Sequence, residues 1–370
     1  MNNMNIRHII KQLMPLSLAQ RYMARNSFAT KFKQTGYNEN CDFPRERSKF
    51  KTIISIQGFG YSGSGALVDF LREYPNISVL GYVDKADEGG GLTPKSMQVS
   101  EIDFVRLSGG LFEIEKYLDS SNIFFNDALL NRTAKLFGNS SLYLNNEKIR
   151  DLMYRFFAHV AYLRLENLGY SYYNTYTVGL NETQDIYFLK KMSRNEYLDL
   201  CRNFLSSVFD EFYQSGKDFL AADQLLSDME FNMERNLEYI PNLKMVIVTR
   251  DPRDTYCWAI KRNIEWMEHS SPQRFVEWYK HLYANVNSLQ SDNRCLVLKY
   301  EDLVLDYDKQ EKRINEYLGT CSEDHKLRQQ FFNPDVSKRF VGIYKEFKDY
   351  EKDFAYIRNE LSDYCNTIID

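Results

Sequence analysis

Residues 51–74, KTIISIQGFGYSGSGALVDFLREY, constrain the fold of this chain more than any other stretch. The stretch opens with a β-branched, apolar run at 52–56, which predicts a short buried strand of a parallel sheet. A glycine-rich turn follows at 58–65, and apolar residues then recur at helical spacing. Such a turn aims several backbone N–H groups at one point beside a helix N-terminus, so it suits an anionic ligand.

Two known anion-binding turns can be compared with this one. The Walker turn requires a lysine and then Ser or Thr after its second glycine, where this chain has Ser64 and Gly65. Without that lysine a β- or γ-phosphate loses its main counter-charge, which disfavours an ATPase or a kinase. The dinucleotide fingerprint G-x-G-x-x-G is matched by Gly58, Gly60 and Gly63, so a nicotinamide enzyme stays open. A glycine turn without a ligand is the third alternative.

Composition excludes several other classes of protein. The net charge of −4 and the pI near 5.9 give no overall argument for binding nucleic acid, so an anion site must be local. The six cysteines are scattered without a C-x-x-C pair, which disfavours a zinc site and fits a reducing compartment. No run approaches the roughly 20 apolar residues of a membrane span. We therefore expect a cytoplasmic protein that needs no metal.

The first 50 residues are basic and carry apolar residues such as Ile6, Ile10 and Leu13 at helical spacing. They predict a basic helical leader without the continuous apolar core of a signal peptide. A helix packed on the domain, or a mobile leader, is the favoured interpretation. Peripheral contact with an anionic membrane surface, at the inner face of the membrane, is the alternative.

Three further apolar runs, at 218–224, 243–249 and 295–299, predict strands of the same sheet. The second run is followed by Arg250 and Arg253, and Pro252 sits where a helix can begin. Because ligands bind at the carboxyl edge of parallel strands, both arginines are expected beside the glycine turn as a second anion site. The alternative is that Arg253 pairs with Asp251 or Asp254 in a helix cap.

The region between the glycine turn and the third strand combines an alternating segment with an aromatic one. Residues 99–105 alternate polar and apolar, which predicts a strand with Glu101 and Asp103 on one face. Residues 122–231 are expected to be mostly helical, with a tyrosine-rich patch at 162–176. Near the C-terminus, Gly319 is expected to close a helix. The basic segment 333–345, the tail, is a candidate to lie over a bound anion.

Three motifs in order carry a resemblance to a known family. They are the turn Gly58-x-Gly60-x-Ser62-Gly63-Ser64, VIVTRDPRD at 246–254, and LKYEDLVLDYDKQEKRINEYLG at 298–319. Together they resemble the sulfotransferases that use 3′-phosphoadenosine-5′-phosphosulfate (PAPS), over residues 51–344. Residues 100–118 and the pair Asp223-Gln224 are also similar to bacterial sulfotransferase-like proteins associated with cell-surface polysaccharide.

The resemblance implies a three-layer α/β/α fold with a central, mostly parallel sheet, a P-loop-like nucleotide-binding core and a helical, aromatic-rich insertion. The implied organisation is a leader at 1–50, a sulfotransferase domain at 51–345 with the insertion at about 120–215, and a C-terminal helix at 346–370. The implied activity is transfer of a sulfuryl group from PAPS to a carbohydrate hydroxyl. A nicotinamide enzyme and a non-catalytic glycan-assembly protein stay open as alternatives.

The resemblance also implies site residues. The turn would bind the 5′-phosphosulfate, and Arg250 would bind the 3′-phosphate with help from Arg253 or the tail. The implied donor-binding residues are Gly60, Tyr61, Ser62, Gly63, Ser64, Gly65, Ala66, Arg250, Arg253, Lys338 and Arg339. The base is expected to be a carboxylate, first Glu101, then Asp103 and Asp84. Two positions depart from the family: Tyr61 stands where a Lys or Arg is usual, and Trp258 where a Ser is usual.

Overall fold

The structure is a computed structural model of the 370-residue chain. It describes residues 48–80, 101–116, 146–168, 184–225, 233–284, 286–289 and 293–366, with residues 32, 35–37, 118 and 142. The chain divides into two compact units, one of residues 1–46 and 106–208 and the other of residues 47–105 and 209–370.

The elements follow one another in a βα pattern, with most strands in the second unit. In chain order they are β1 (Thr52–Gln57), α1 (Ser64–Leu71), β2 (Ile77–Val79), α2 (Glu101–Glu115), α3 (Glu147–Val160), β3 (Ala161–Leu168), β4 (Gln184–Leu189), α4 (Arg194–Asp210), β5 (Phe219–Asp223), α5 (Met233–Tyr239), β6 (Leu243–Thr249), α6 (Pro252–Arg262), α7 (Pro272–Tyr283), α8 (Val286–Leu289), β7 (Cys295–Lys299), α9 (Tyr300–Leu305), α10 (Tyr307–Leu318), α11 (Pro334–Ser337) and α12 (Glu351–Glu360).

A five-stranded parallel sheet in the order β2-β5-β1-β6-β7 forms the centre of the second unit. The β-branched run of β1 is buried on both sides, since Ile53, Ile54 and Ile56 are fully buried. In β1, Ile54 pairs with Ala221 of β5 and with Lys244 of β6. The α/β fold with a parallel sheet is therefore confirmed, and β1, β5, β6 and β7 lie where the apolar runs predict them.

Helix boundaries near the carboxyl edge of the sheet also follow the sequence signals. Helix α6 begins at Pro252, and the Asp251 side chain caps it by accepting a hydrogen bond from the Arg253 N–H. Helix α10 ends at Leu318, and Gly319 then adopts a left-handed conformation with φ of 81°. Both predicted boundaries are confirmed.

The strand predicted at 99–105 is wrong, because residues from Glu101 onwards lie in helix α2. Alternation over seven residues is too short to separate the two periods. The longer pattern of Phe104, Leu107 and Leu111 has the spacing of a helix. Residues two apart do not share a helix face, so the argument that placed Glu101 and Asp103 side by side no longer holds.

The first unit combines helices with a small sheet that the sequence did not predict. Strands β3 and β4 pair antiparallel within the region expected to be mostly helical. Aromatic residues form part of the packed interior: the rings of Phe156 and Phe204 stack with centroids 4.6 Å apart. The buried Tyr197 hydroxyl donates to the Leu111 carbonyl at 2.8 Å. Phe156, Phe204 and Tyr197 thus contribute to the packing of the first unit.

Some expectations fall outside the described residues. They are the leader helix around Ile6, Ile10 and Leu13, and the candidate base Asp84. Within the part of the chain that the structure describes, no helix has both the length and the apolar character needed to cross a bilayer.

Candidate active site

The glycine turn leaves β1 at the centre of the sheet and enters α1 with three of its N–H groups unpaired among the described residues. The Ser62 N–H donates to the Phe59 carbonyl at 2.9 Å, and the Ala66 N–H donates to the Gly63 carbonyl at 3.0 Å. By contrast, the N–H groups of Gly63, Ser64 and Gly65 have no acceptor among the described residues. Three free donors at the start of a helix form a site for an anion.

Close packing explains why glycine is needed at two positions of this turn. Gly63 has φ of 95°, and a Cβ there would lie 2.4 Å from the Tyr300 ring. A Cβ on Gly60 would lie 2.4 Å from the indole of Trp266, so this indole rests against the turn backbone. The indole is nonetheless 64% exposed. Tyr300 and Trp266 therefore shape the turn from two sides.

The two hydroxyls of the turn have different partners. The Ser62 side chain is 2% exposed, and its Oγ has no hydrogen-bond partner among the residues described. The Ser64 Oγ lies 3.4 Å from Oδ2 of Asp223, which ends strand β5. A buried hydroxyl without a protein partner suits a ligand acceptor, so Ser62 is a stronger candidate than Ser64. The sequence pointed to both serines but gave no role to Asp223.

Arg250 lies beside the turn, at the carboxyl edge of the sheet where it was expected. Its guanidinium donates to the Tyr61 carbonyl at 3.2 Å and to the Phe340 carbonyl. It also lies 3.7 Å from Oδ2 of Asp254. The buried Nε–H has no partner in the described part of the chain. One side chain thus connects the glycine turn to the tail, and its buried Nε–H has no partner among the described residues.

Arg253 is placed differently, as the sequence-based alternative anticipated. It forms a two-point ion pair with Asp251, with N–O distances of 2.9 and 2.7 Å, and both side chains are buried. Its guanidinium also lies 4.2 Å from the Tyr344 ring centroid. Geometry therefore favours a structural role for Arg253 rather than contact with a ligand.

Two buried carboxyl groups below this edge have perturbed acidity. Burial raises the pKa of Asp254 to about 6, although the Arg250 charge and the N–H groups of Tyr344 and Gly342 act against the rise. Burial also raises the pKa of Glu301 to about 7, against the hydrogen bond from the Asp251 N–H. At pH 7 Asp254 is therefore mostly ionised and opposes the Arg250 charge, whereas Glu301 is about half protonated.

The two residues that depart from the family pattern contact each other. The rings of Tyr61 and Trp258 stack with centroids 5.6 Å apart and planes 12° apart. The Phe340 ring lies 6.2 Å from Trp258. Lys261 Nζ and Arg262 Cζ lie 5.3 and 5.5 Å from the Trp258 ring centroid. The rings of Tyr61, Trp258 and Phe340 therefore form an aromatic ledge beside the glycine turn, with Lys261 and Arg262 next to Trp258. The sequence motifs did not reveal this surface.

The predicted tail residues lie at the surface near this ledge. Lys338 is exposed and pairs with Asp335 at 2.6 Å. Arg339 is exposed, and its guanidinium lies 4.6 Å from the Phe340 ring centroid. The tail is held in place from beneath, since Asp254 accepts hydrogen bonds from the N–H groups of Gly342 and Tyr344.

The described residues do not include the side chains of the three expected bases. Only the backbone of Glu101 and Asp103 is described, in helix α2, and Asp84 lies outside the described residues. Asp223 is the carboxylate that contacts the turn, through Ser64. Among the residues described, no group of three or more His, Cys, Asp or Glu side chains is arranged to bind a metal.

The comparison with family models matches residues 140–324, half of the chain, to the sulfotransferase family. The chain belongs to the sulfotransferase family. The matched residues include β5, β6 and β7 together with Arg250 and the ledge residue Trp258, whereas the glycine turn precedes them. This sulfotransferase has no match among curated proteins.

Several solved structures are similar to this sulfotransferase at low identity. Sulfotransferase STF9 from Mycobacterium avium is 11% identical, with 84% of this chain and 76% of that one covered and a TM-score of 0.34. The sulfotransferase domain of the Synechococcus PCC 7002 olefin synthase is 11% identical, with coverage of 87% and 98% and a TM-score of 0.38. Retinol dehydratase in complex with androsterone and the inactive cofactor PAP is 12% identical, with coverage of 85% and 82% and a TM-score of 0.36.

Proposed function

We propose that this sulfotransferase moves a sulfuryl group from PAPS to a carbohydrate hydroxyl, on a surface polysaccharide or a glycolipid. The observation that carries the donor assignment is the buried Ser62 hydroxyl, which has no partner among the described residues and lies in the same turn as three free N–H groups. Family membership gives the reaction class. Retinol dehydratase was solved with PAP, the desulfated form of this donor.

The residues present fit such a donor. The N–H groups of Gly63, Ser64 and Gly65 and the Ser62 hydroxyl supply hydrogen bonds for the phosphosulfate. The unpaired Nε–H of Arg250 supplies a further donor to one side. Adjacent glycines allow a close approach, since Gly65 has open space around its Cβ position. Tyr61 has no positive charge to offer the ligand, and its backbone carbonyl accepts a hydrogen bond from Arg250.

The reaction requires positioning, charge stabilisation and a base. The acceptor oxygen attacks sulfur, the bond between sulfur and the bridging phosphate oxygen breaks, and the acceptor proton passes to a carboxylate. N–H donors at the turn would stabilise the charge that develops on the departing phosphate. We propose Asp223 as the base because it contacts the turn through Ser64. Glu101, ahead of Asp103 and Asp84, is the competing assignment.

An exposed aromatic surface beside the turn supports a ring-shaped acceptor. Trp266 is 64% exposed and Tyr61 is 40% exposed, and Trp266 packs directly on Gly60. Aromatic side chains that combine an apolar face with a polar edge suit the apolar face of a sugar ring. A carbohydrate acceptor is thus proposed from the position of these two side chains next to the turn.

Donor binding is tested by calorimetric titration with adenosine 3′,5′-bisphosphate, with ADP and NAD as comparison ligands. Wild type is expected to prefer the bisphosphate. Ser62→Ala removes a hydroxyl that bonds to no described residue, so we expect intact folding and binding about tenfold to a hundredfold weaker. Ser362→Ala, on an exposed C-terminal residue, is the matched control. If wild type does not prefer the bisphosphate, the assignment of PAPS as the donor is wrong. A preference for NAD would favour a nicotinamide enzyme.

Acceptor class is tested separately by transfer of labelled sulfate from PAPS. The acceptor panel contains surface polysaccharides, glycolipids, simple sugars, phenols and sterols. We expect transfer to carbohydrates, and a reduced turnover in Trp266→Ala. Transfer to phenols or sterols alone would overturn the acceptor class while leaving sulfuryl transfer in place.

A further inference from the structure

A donor with phosphate groups at both the 5′ and 3′ positions needs two separate positive sites. The glycine turn provides the first. For the second, the sequence motif offers Arg250 and Arg253, but both are engaged. Arg253 is paired with buried Asp251, and Arg250 donates to two backbone carbonyls and lies 3.7 Å from Asp254. Their charge is therefore largely committed within the protein.

Uncommitted positive charge lies around Trp258. Lys261, Arg262 and Arg339 are exposed, and none forms an ion pair with a carboxylate among the described residues. Lys338, in contrast, is paired with Asp335. Unpaired cations at the surface retain their full charge for a ligand, apart from screening by salt.

Trp258 places two of these cations close to the turn. Lys261 and Arg262 lie within 5.5 Å of the Trp258 ring centroid, and the same ring stacks on Tyr61 at 5.6 Å. A cation held over an indole loses part of its mobility. Because Tyr61 belongs to the glycine turn, this stack fixes the distance between the turn and the two cations. A small residue at position 258 could not make these contacts.

We propose that Lys261 and Arg262, held on the Trp258–Tyr61 stack, bind the 3′-phosphate of the donor nucleotide. This inference rests on the proposed function and deepens it. Arg250 acts in this arrangement as a frame that joins Tyr61 to Phe340, with its unpartnered Nε–H left for the ligand. The two departures from the family pattern are then linked. Tyr61 replaces the usual cation and Trp258 replaces the usual small polar residue, and the stacked rings hold two other cations, Lys261 and Arg262.

Lys261 and Arg262 also lie in the last turn of α6, where positive charge complements the helix dipole. That role would be indifferent to which nucleotide is bound. The two roles are therefore distinguished by selectivity between ligands that differ only in the 3′-phosphate.

The experiment compares adenosine 3′,5′-bisphosphate with adenosine 5′-monophosphate by calorimetric titration of the full chain. The variants are wild type, Lys261→Ala/Arg262→Ala, and Lys309→Ala/Lys312→Ala, which removes the same charge from exposed positions of α10. We expect the first double variant to bind the bisphosphate at least about tenfold more weakly, with unchanged affinity for the monophosphate. The control should retain wild-type affinity for both.

Each other outcome overturns the inference. Unchanged bisphosphate affinity in Lys261→Ala/Arg262→Ala, or an equal loss for both nucleotides, would mean that the cations do not contact the 3′-phosphate, while PAPS use would stand. Failure of wild type to bind the bisphosphate would overturn the proposed function as well. Circular dichroism spectra that match wild type establish that these exposed substitutions leave the fold intact.

Discussion

The ring of Tyr61 lies parallel to the indole of Trp258, 5.6 Å from centroid to centroid. A double-mutant cycle with Tyr61→Leu and Trp258→Leu should give a coupling free energy of about 0.5–1.5 kcal/mol, because each single change already removes the stack. Unfolding in urea is the measurement. Tyr61→Phe retains the ring and should behave as wild type. Strictly additive effects would show that the rings are neighbours without interacting.

Arg253→Met tests the structural role of the Arg253–Asp251 pair. Both side chains are at most 3% exposed, so loss of the arginine leaves a buried, uncompensated carboxylate, and the free energy of unfolding should fall by about 3–5 kcal/mol. Lys338→Met breaks an exposed pair with Asp335 and should cost less than about 1 kcal/mol. Denaturant titrations measure both. Similarly small losses for both variants would contradict the structural role of the Arg253–Asp251 pair.

Glu301 should make stability depend on pH near neutrality. Its pKa rises from 4.5 to about 7 in the folded protein, chiefly through burial. The folded state therefore holds a proton that the unfolded state releases, so the contribution is present below pH 4.5 and is lost as pH rises to 7. The loss is about 3 kcal/mol, at 1.36 kcal/mol for each pKa unit.

Glu301→Gln isolates this effect, because the amide carbonyl can still accept from the Asp251 N–H. Between pH 5 and 8 the variant should have a flatter stability profile than wild type and should be more stable at pH 8. Glu316→Gln, at an exposed position of α10, should retain the wild-type profile. Parallel profiles for wild type and Glu301→Gln would contradict the assignment.

Asp223→Asn should lower kcat by about 10²–10⁴-fold if Asp223 is the base. Affinity for adenosine 3′,5′-bisphosphate should change little, since the amide can still accept from Ser64. Steady-state kinetics and titration together separate the two quantities. Glu101→Gln is the competing variant, and a large kcat loss there with a normal Asp223→Asn enzyme would restore Glu101 as the base.

The parallel sheet and the position of Arg250 could be predicted because both follow from local pattern. The runs in β1, β6 and β7 are short, apolar and bounded by breakers, and strands that are parallel bring their carboxyl ends to one edge. The alternation of polar and apolar residues gave the wrong prediction at 99–105, because a segment of seven residues fits both the strand period and the helix period. The sequence pattern also missed β3 and β4, which lie within a region predicted to be mostly helical.

Roles within the site depended on contacts between residues far apart in sequence. Arg250 and Arg253 lie in the same motif, yet their contacts differ: Arg250 donates to the carbonyls of Tyr61 and Phe340, whereas Arg253 pairs with Asp251. Lys261 and Arg262 look like ordinary helix-ending cations until Trp258 is seen beneath them. Only three-dimensional proximity distinguishes these cases.

The Arg250 guanidinium joins the turn carbonyl of Tyr61 to the tail carbonyl of Phe340. These segments are separated by 279 positions along the chain, yet neither can detach without breaking a buried, charge-assisted hydrogen bond. The turn and the tail therefore belong to one cooperative folding unit. The hydrogen-bonded amides of Ser62 and Ala66 in the turn and of Gly342 and Tyr344 in the tail should therefore share one free energy of opening in hydrogen exchange, and removal of the tail should lower the protection of the turn at the other end of the sequence.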